Sequence, residues 1–255
     1  MSLIVILICL GLQRYLKFNS YSCQLHWVDP YYKWMTAKFA QITKGHGFVG
    51  AAILVLPILA VVAIVFALVF NWLSLIGYAV LSIAIVWYCM DGRDMQKDPY
   101  ENMSAQDLFI TSYRNLFGVI FWYALFGPVG LTLYFSAGKL QNLIMDQQTS
   151  SHEETQSSLS LCIDKIMGVL DWVPVRLVGL SYALVGHFGL VFKSWLKKLF
   201  DGISNTQKLV SEWGMIALKD VAEDTQTAEA ITLIDRALLV WLVVLFLISL
   251  GSLIS

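Results

Sequence analysis

Four stretches of this chain, each roughly 20 residues long, contain no aspartate, glutamate, lysine or arginine. A helix of that length can cross the hydrocarbon core of a bilayer, which is about 30 Å thick. The stretches are residues 48–70, 72–90, 116–135 and 237–255. Because 58% of all residues are hydrophobic and only 14% are charged, the sequence predicts an all-α, polytopic helical membrane protein.

Two weaker candidates for membrane helices are residues 1–12, which are apolar but short, and 173–192, which contain Arg176 and His187. The distribution of lysine and arginine tests whether they cross. Of the five connections between the six segments, four hold five, three, two and six basic residues in chain order, and the one between residues 70 and 72 is too short to count. Six membrane-embedded helices place fourteen of these residues on one side and two on the other, as the positive-inside rule requires. We therefore expect six such helices, with both termini outside.

Amphipathic helices are predicted in the connections. One apolar stripe lies beside lysines within residues 33–44, and a second lies beside Lys193, Lys197 and Lys198. The first stripe consists of Trp34, Met35, Phe39 and Ile42, and the second of Phe192, Trp195, Leu196, Leu199 and Phe200. Either stripe could lie in the lipid headgroup region or pack on the protein's own helices. A third helix is predicted from the spacing of apolar residues between Leu159 and Leu170.

Several familiar kinds of site are excluded or weakly supported. Gly45, Gly47 and Gly50 match the dinucleotide pattern, but a membrane helix follows them, and Phe70 stands where an acidic residue should hold the ribose. The histidines and cysteines lack the spacing of metal ligands. A net charge of −1 gives no reason to expect nucleic acid. We predict neither a metal site nor a nucleic-acid partner.

The unusual feature is a set of polar groups at membrane depth. Asp171, Pro174 and Arg176 lie at the start of the segment 173–192, and an arginine inside a membrane needs a partner there. Arg176 could form an ion pair with Asp171 or Asp164, or it could help to bind an anion. His187 could hydrogen-bond a neighbour in the core or belong to the same site.

A glycine-proline pair interrupts the segment 116–135. Pro128 cannot donate a helical hydrogen bond, so Gly127-Pro128 should break the helix, and broken membrane helices often line binding cavities. Tyr134, one turn beyond Gly130, could offer its hydroxyl there. Three further residues are expected on the other side of the membrane, where each could belong to a solvated helix end or contact a ligand. These are Arg14, Arg93 and Asp94.

The stretch Leu170-Asp171-Trp172-Val173-Pro174-Val175-Arg176-Leu177, followed by Tyr182-Ala183-Leu184 and Gly186-His187, resembles the AmpE family. Phe121-Trp122-Tyr123-Ala124-Leu125-Phe126-Gly127-Pro128-Val129-Gly130 and Gln13-Arg14-Tyr15-Leu16-Lys17 are also similar to that family. The resemblance implies a multi-pass protein of the bacterial inner membrane, with a signalling or accessory role in β-lactamase induction and cell-wall recycling. It also implies a small-molecule or protein signalling partner besides the lipid bilayer. An oligomer is possible.

The same stretches are similar to the cobinamide-phosphate synthases, in the elements Val173–Leu177 and Gly127–Tyr134. That similarity implies an ancestral pocket and an alternative function, a membrane enzyme of the amide-ligase type, for which ATP is possible as a cofactor. The ligand-binding residues expected from the motifs and the resemblance together are Asp171, Pro174, Arg176, Tyr134, Arg93, Asp94, Arg14 and His187.

Overall fold

In a computed structural model of the protein, every regular element among the described residues is an α-helix or a short π-helical turn, which confirms the predicted all-α fold. The structure describes residues 2–15, 34, 38, 47–72, 74–89, 103–151, 158–203, 206–219, 221–222 and 225–254. The helices, in chain order, are α1 Ser2–Tyr15, α2 Gly47–Trp72, α3 Ser74–Cys89, α4 Ala105–Ser112, α5 Gly118–Ser151, α6 Ser158–Val185, α7 Phe188–Lys198, α8 Thr206–Ala217 and α9 Gln226–Ile254. A π-helical turn, Tyr113–Phe117, joins α4 to α5.

Helix α5 reverses its direction at Gly127. In a straight helix, Gly118 and Tyr134 would lie about 24 Å apart along the axis. Instead, a Cβ atom on Gly118 would lie 2.5 Å from the Tyr134 hydroxyl oxygen. The rings of Trp122 and Tyr134 also stack, with their centroids 6.5 Å apart. Helix α5 is therefore a hairpin with two arms, 118–126 and 128–151.

The Gly127-Pro128 pair explains why the reversal occurs at this point. Gly127 has φ 63° and ψ −150°, a conformation that is essentially restricted to glycine. Pro128 then begins the second arm, where its fixed φ suits a first helical turn and its missing N–H costs nothing. The predicted break is confirmed, but the prediction of one membrane crossing over 116–135 is wrong, because the two halves of that segment run in opposite directions.

Helix α6 lies at the centre of the described structure, and α7 folds back along it. The Trp195 indole N–H donates to the Arg176 carbonyl oxygen at 2.8 Å, and Gly168 leaves room for the backbone of Ile203. Helix α8 packs on the same helix, since a Cβ atom on Gly179 would clash with the Trp213 ring. These small residues let α7 and α8 approach α6 closely.

Among the described residues, four helical stretches are long and apolar enough to cross a membrane. They are Val49–Leu68, Ala105–Met145, Leu159–Val185 and Gln226–Gly251. The second of these includes the hairpin. The chain is thus a helical membrane protein, as predicted, but the third stretch corrects the predicted segment 173–192. That segment is split after Val185, where α6 ends, and α7 begins only at Phe188.

The shorter predicted membrane helices are also present as helices. Helix α1 has 14 residues and α3 has 16, and a 16-residue helix is about 24 Å long. That is less than the thickness of the hydrocarbon core, so the crossings of 1–12 and 72–90 stay predictions. The placement of both termini outside the membrane stays a prediction as well.

The predicted amphipathic stretch after residue 192 coincides with α7 and the residues that follow it. Trp195 is half-buried against α6, as the second alternative predicts, whereas Leu196 and Phe200 are exposed. The earlier stretch lies outside the described residues except for Trp34 and Lys38, whose ammonium group lies 4.6 Å from the Trp34 ring centroid.

We predict that Gly127→Ala destabilises the protein by about 1–3 kcal/mol, because a Cβ atom strains a backbone with this φ and ψ. Gly189→Ala is the matched control, since Gly189 lies within α7 and a Cβ atom there would meet nothing within 4 Å. Alanine should stabilise that helical position slightly. Thermal unfolding in detergent measures both effects, and equal stability of the two variants would contradict the role of Gly127.

Candidate functional site

Hydrogen-bond donors enclose a carboxylate in the middle of α6. Asp171 is 1% exposed. Its Oδ1 accepts hydrogen bonds from the Tyr113 hydroxyl at 2.6 Å and from the Tyr134 hydroxyl at 3.1 Å. Its Oδ2 accepts a hydrogen bond from the Gln207 side-chain amide at 2.8 Å. Because an ionised carboxylate can only accept hydrogen bonds, three donors suit that form. We call these four residues the Asp171 cluster.

The cluster joins four elements that are distant in the sequence. Tyr113 lies in the π-helical turn, Tyr134 in the second arm of α5 and Gln207 in the first turn of α8. Gly118 provides the space for the Tyr134 ring, and the reversal at Gly127 returns Tyr134 to the level of Gly118. Single π-helical turns inside helices are frequent at functional sites. The site thus depends on two local departures from regular helix.

A second polar layer lies on one side of the cluster. Arg114 donates to the side-chain oxygens of Gln141 at 3.0 Å and Asn142 at 3.3 Å. The Gln141 amide in turn donates to the Asp164 carboxylate at 2.8 Å. Gln141 and Asp164 are each seven residues from a member of the cluster, about 10 Å along their helices. Asp164 and Asn142 are exposed. We call Arg114, Gln141, Asn142 and Asp164 the outer layer.

Arg114 connects the outer layer to the cluster electrostatically. Its partners Gln141 and Asn142 are neutral amides, which orient the guanidinium without balancing its charge. The guanidinium is close enough to the Asp171 carboxylate for a favourable Coulomb interaction. Because the Asp171 carboxylate is shielded from water, this interaction is stronger than it would be at a surface.

Arg176 forms neither of the ion pairs considered from the sequence, and its contribution to anion binding stays a prediction. Its guanidinium donates to three main-chain oxygens, those of Trp172 at 3.0 Å, Leu199 at 3.0 Å and Asp201 at 2.8 Å. It also stacks over the Trp172 ring at 4.4 Å and is 4% exposed. Within the described part of the chain, no ion pair joins it to Asp171 or Asp164. Arg176 satisfies carbonyl groups at the C-terminal end of α7, where helices leave acceptors unpaired.

The remaining predicted site residues do not meet at the cluster. Pro174 is buried within α6, one turn beyond Asp171. His187 precedes α7 and is exposed, which corrects its interpretation as a core histidine. Arg14 lies in α1, with its side chain outside the described part of the structure, and Arg93 and Asp94 lie outside the described residues. Of the eight predicted residues, the structure thus brings Asp171 and Tyr134 into direct contact.

Comparison with known proteins supports the resemblance seen in the sequence. The family model for the regulatory signalling modulator protein AmpE matches residues 97–254, more than half of the chain. This chain belongs to the AmpE family. Protein AmpE from Shigella flexneri is 31% identical over 110 residues, which are 42% of this chain and 37% of that protein. The matched part is thus just over a third of the length of that relative. No solved structure matches the chain.

All members of the Asp171 cluster and of the outer layer lie within the region that matches the AmpE family model. Sequence reasoning missed Tyr113 and Gln207 of the cluster and Arg114, Gln141 and Asn142 of the outer layer. The pair Tyr113-Arg114 offered a signal, because it introduces a hydroxyl and a charge next to an apolar stretch. Gln207 offered none, since it follows a polar connection in which any side chain could have been the partner of a buried carboxylate.

We predict that Tyr113→Phe and Tyr134→Phe each destabilise the protein by about 1.5–3 kcal/mol, the usual contribution of a hydrogen bond to a charged group. Each substitution removes one donor to Asp171 and keeps the ring. In an Asp171→Leu background the two substitutions should have much smaller effects, because the acceptor is gone. Chemical unfolding of the single and double variants measures this coupling, and strictly additive effects would exclude it.

We predict that Arg176→Lys loosens the connection between α7 and α8. A lysine ammonium cannot reproduce a planar fork that reaches carbonyl groups of three residues. Backbone amides of residues 199–203 should then exchange with deuterium at least tenfold faster, which corresponds to the loss of about 1.4 kcal/mol of local stability. Arg236→Lys, at an exposed position of α9, is the control. Unchanged exchange in Arg176→Lys would show that the arginine does not hold the connection.

Proposed function

We propose that this protein acts in the bacterial inner membrane, as a signalling or accessory protein in β-lactamase induction and cell-wall recycling. Membership of a family described as regulatory signalling modulators supports a signalling role. The four apolar helical stretches support an action at a membrane. We further propose that the Asp171 cluster is the part of the molecule that responds to the signal.

The observation that carries this proposal is the burial of an ionisable residue in a membrane helix. A carboxylate in such a place costs free energy that an apolar side chain would not, so its presence points to a function. Asp171 also connects the hairpin, α6 and α8 through three hydrogen bonds. A change at this carboxylate would alter the packing of all three, as a signal-dependent change of conformation requires.

The proposed ligand or partner acts on the segment that contains Asp171, Pro174 and Arg176, together with Tyr134. Asp171 is almost fully buried, so the approach is from the outer layer, where Asn142 and Asp164 are exposed. The expected contributions of Arg14, Arg93, Asp94 and His187 stay predictions.

A membrane enzyme of the amide-ligase type is the second candidate function. The structure places Tyr134, from the Gly127–Tyr134 element, in hydrogen-bonding contact with α6, which carries the Val173–Leu177 element. These are the two elements that resemble the cobinamide-phosphate synthases. An enzyme of this kind would show ATP consumption with a carboxylic acid and an amine, and Tyr134→Phe should abolish that turnover while the protein remains folded.

We predict that deletion of the gene changes both inducible β-lactamase activity and the pools of cell-wall fragments, and that Asp171→Asn fails to restore them. The amide keeps the shape of the side chain but removes its charge. Asp164→Asn is the matched control, because Asp164 lies on the same helix and is exposed. Immunoblots of the membrane fraction should show equal amounts of both variants. Normal induction and unchanged pools in the deletion strain would refute the proposed role.

A further inference from the structure

Helix α7 has two faces of different character. One face packs on α6, where Val191 is fully buried and the Trp195 indole bonds to the Arg176 carbonyl oxygen. The opposite face carries Lys193 and Lys197, both exposed. Within the described part of the chain, neither of these lysines forms an ion pair. The outward face is therefore positively charged and unoccupied by the rest of the described structure.

Large apolar side chains flank these lysines. Leu196 is 51% exposed and Phe200, just after the helix, is 86% exposed. At 100° per residue, Leu196 and Phe200 lie on one side of Lys193 and Lys197 on the helical circumference. Exposed phenylalanine next to lysine is typical of helices that lie at a membrane surface, where the apolar groups enter the bilayer and the ammonium groups remain among the headgroups.

The nearby charges leave the outward face of α7 with a net positive charge, which favours binding to an anionic surface. Lys198 is paired with Glu212 of α8, with Nζ and carboxylate oxygen 2.6 Å apart, so this pair is close to neutral. Asp201 is exposed beyond the end of α7. Its main-chain carbonyl oxygen accepts a hydrogen bond from the Arg176 guanidinium. The two unpaired lysines therefore determine the sign of the outward face.

We propose that the outward face of α7 binds the headgroups of anionic phospholipids. An acidic peptide or a nucleic acid would match the lysines but would leave Phe200 and Leu196 in water, whereas a bilayer covers both kinds of group. The Arg176 hydrogen bonds to Leu199 and Asp201 orient the face, which makes Arg176 a positioning residue for lipid binding.

The test uses the full chain in nanodiscs of phosphatidylcholine, with and without phosphatidylglycerol, and measures deuterium exchange of the amides in residues 188–200. Because a lysine near an anionic surface contributes about fivefold to binding, we expect exchange to slow at least tenfold when phosphatidylglycerol is present. The variant Lys193→Gln/Lys197→Gln should lose this difference. The variant Lys208→Gln/Lys219→Gln, which neutralises two exposed lysines of α8 and its end, should keep it.

Arg176→Lys separates orientation from charge. It retains Lys193 and Lys197, so loss of the phosphatidylglycerol effect in this variant shows that the face must be held in place. Exchange in residues 237–250 reports whether each variant remains folded in the membrane. The proposal is overturned if exchange in 188–200 is the same in both lipids, or if the two double variants behave alike.

Discussion

The packing of the hairpin, α6 and α8 depends on one buried carboxylate. Asp171 accepts hydrogen bonds from Tyr113, Tyr134 and Gln207, and each donor belongs to a different element. A buried carboxylate without such donors would carry a large desolvation cost. The π-helical turn, the reversal of α5 and the position of α8 each deliver one of these donors.

Hydropathy predicted the helical membrane class but not the path of the chain. The length of an apolar stretch shows that it can lie in a membrane, and it carries no information on direction. For this reason residues 116–135 were predicted as one crossing, although Gly127 reverses them. The prediction for segment 173–192 failed for a related reason: its mainly apolar character does not reveal that the helix ends at Val185, after which α7 turns back onto α6.

Residues of the candidate site were predictable only where they were unusual for an apolar membrane helix. Asp171 and Arg176 were conspicuous because charged residues are rare beside apolar helices, and Gly127-Pro128 because it must interrupt one. The partner of each charge was not predictable, since long-range contacts depend on packing that spacing does not encode. Asp171 and Arg176 lie five residues apart, which places their side chains about 140° apart around α6, and their hydrogen bonds go to different elements.

That division has a physical reason. An arginine that satisfies carbonyl groups needs acceptors that are fixed in direction, and the end of α7 presents them. A carboxylate needs donors, and the two tyrosines and the glutamine present those without adding formal charge. If Arg176 were paired with Asp171 instead, the carbonyl groups of Leu199 and Asp201 would lose their donor and the hairpin would lose its acceptor. Because the two charges have separate partners, Asp171 holds the hairpin and α8 against α6, and Arg176 holds the end of α7. A change in the charge of Asp171 would therefore act first on the hairpin and α8, while Arg176 keeps α7 in place.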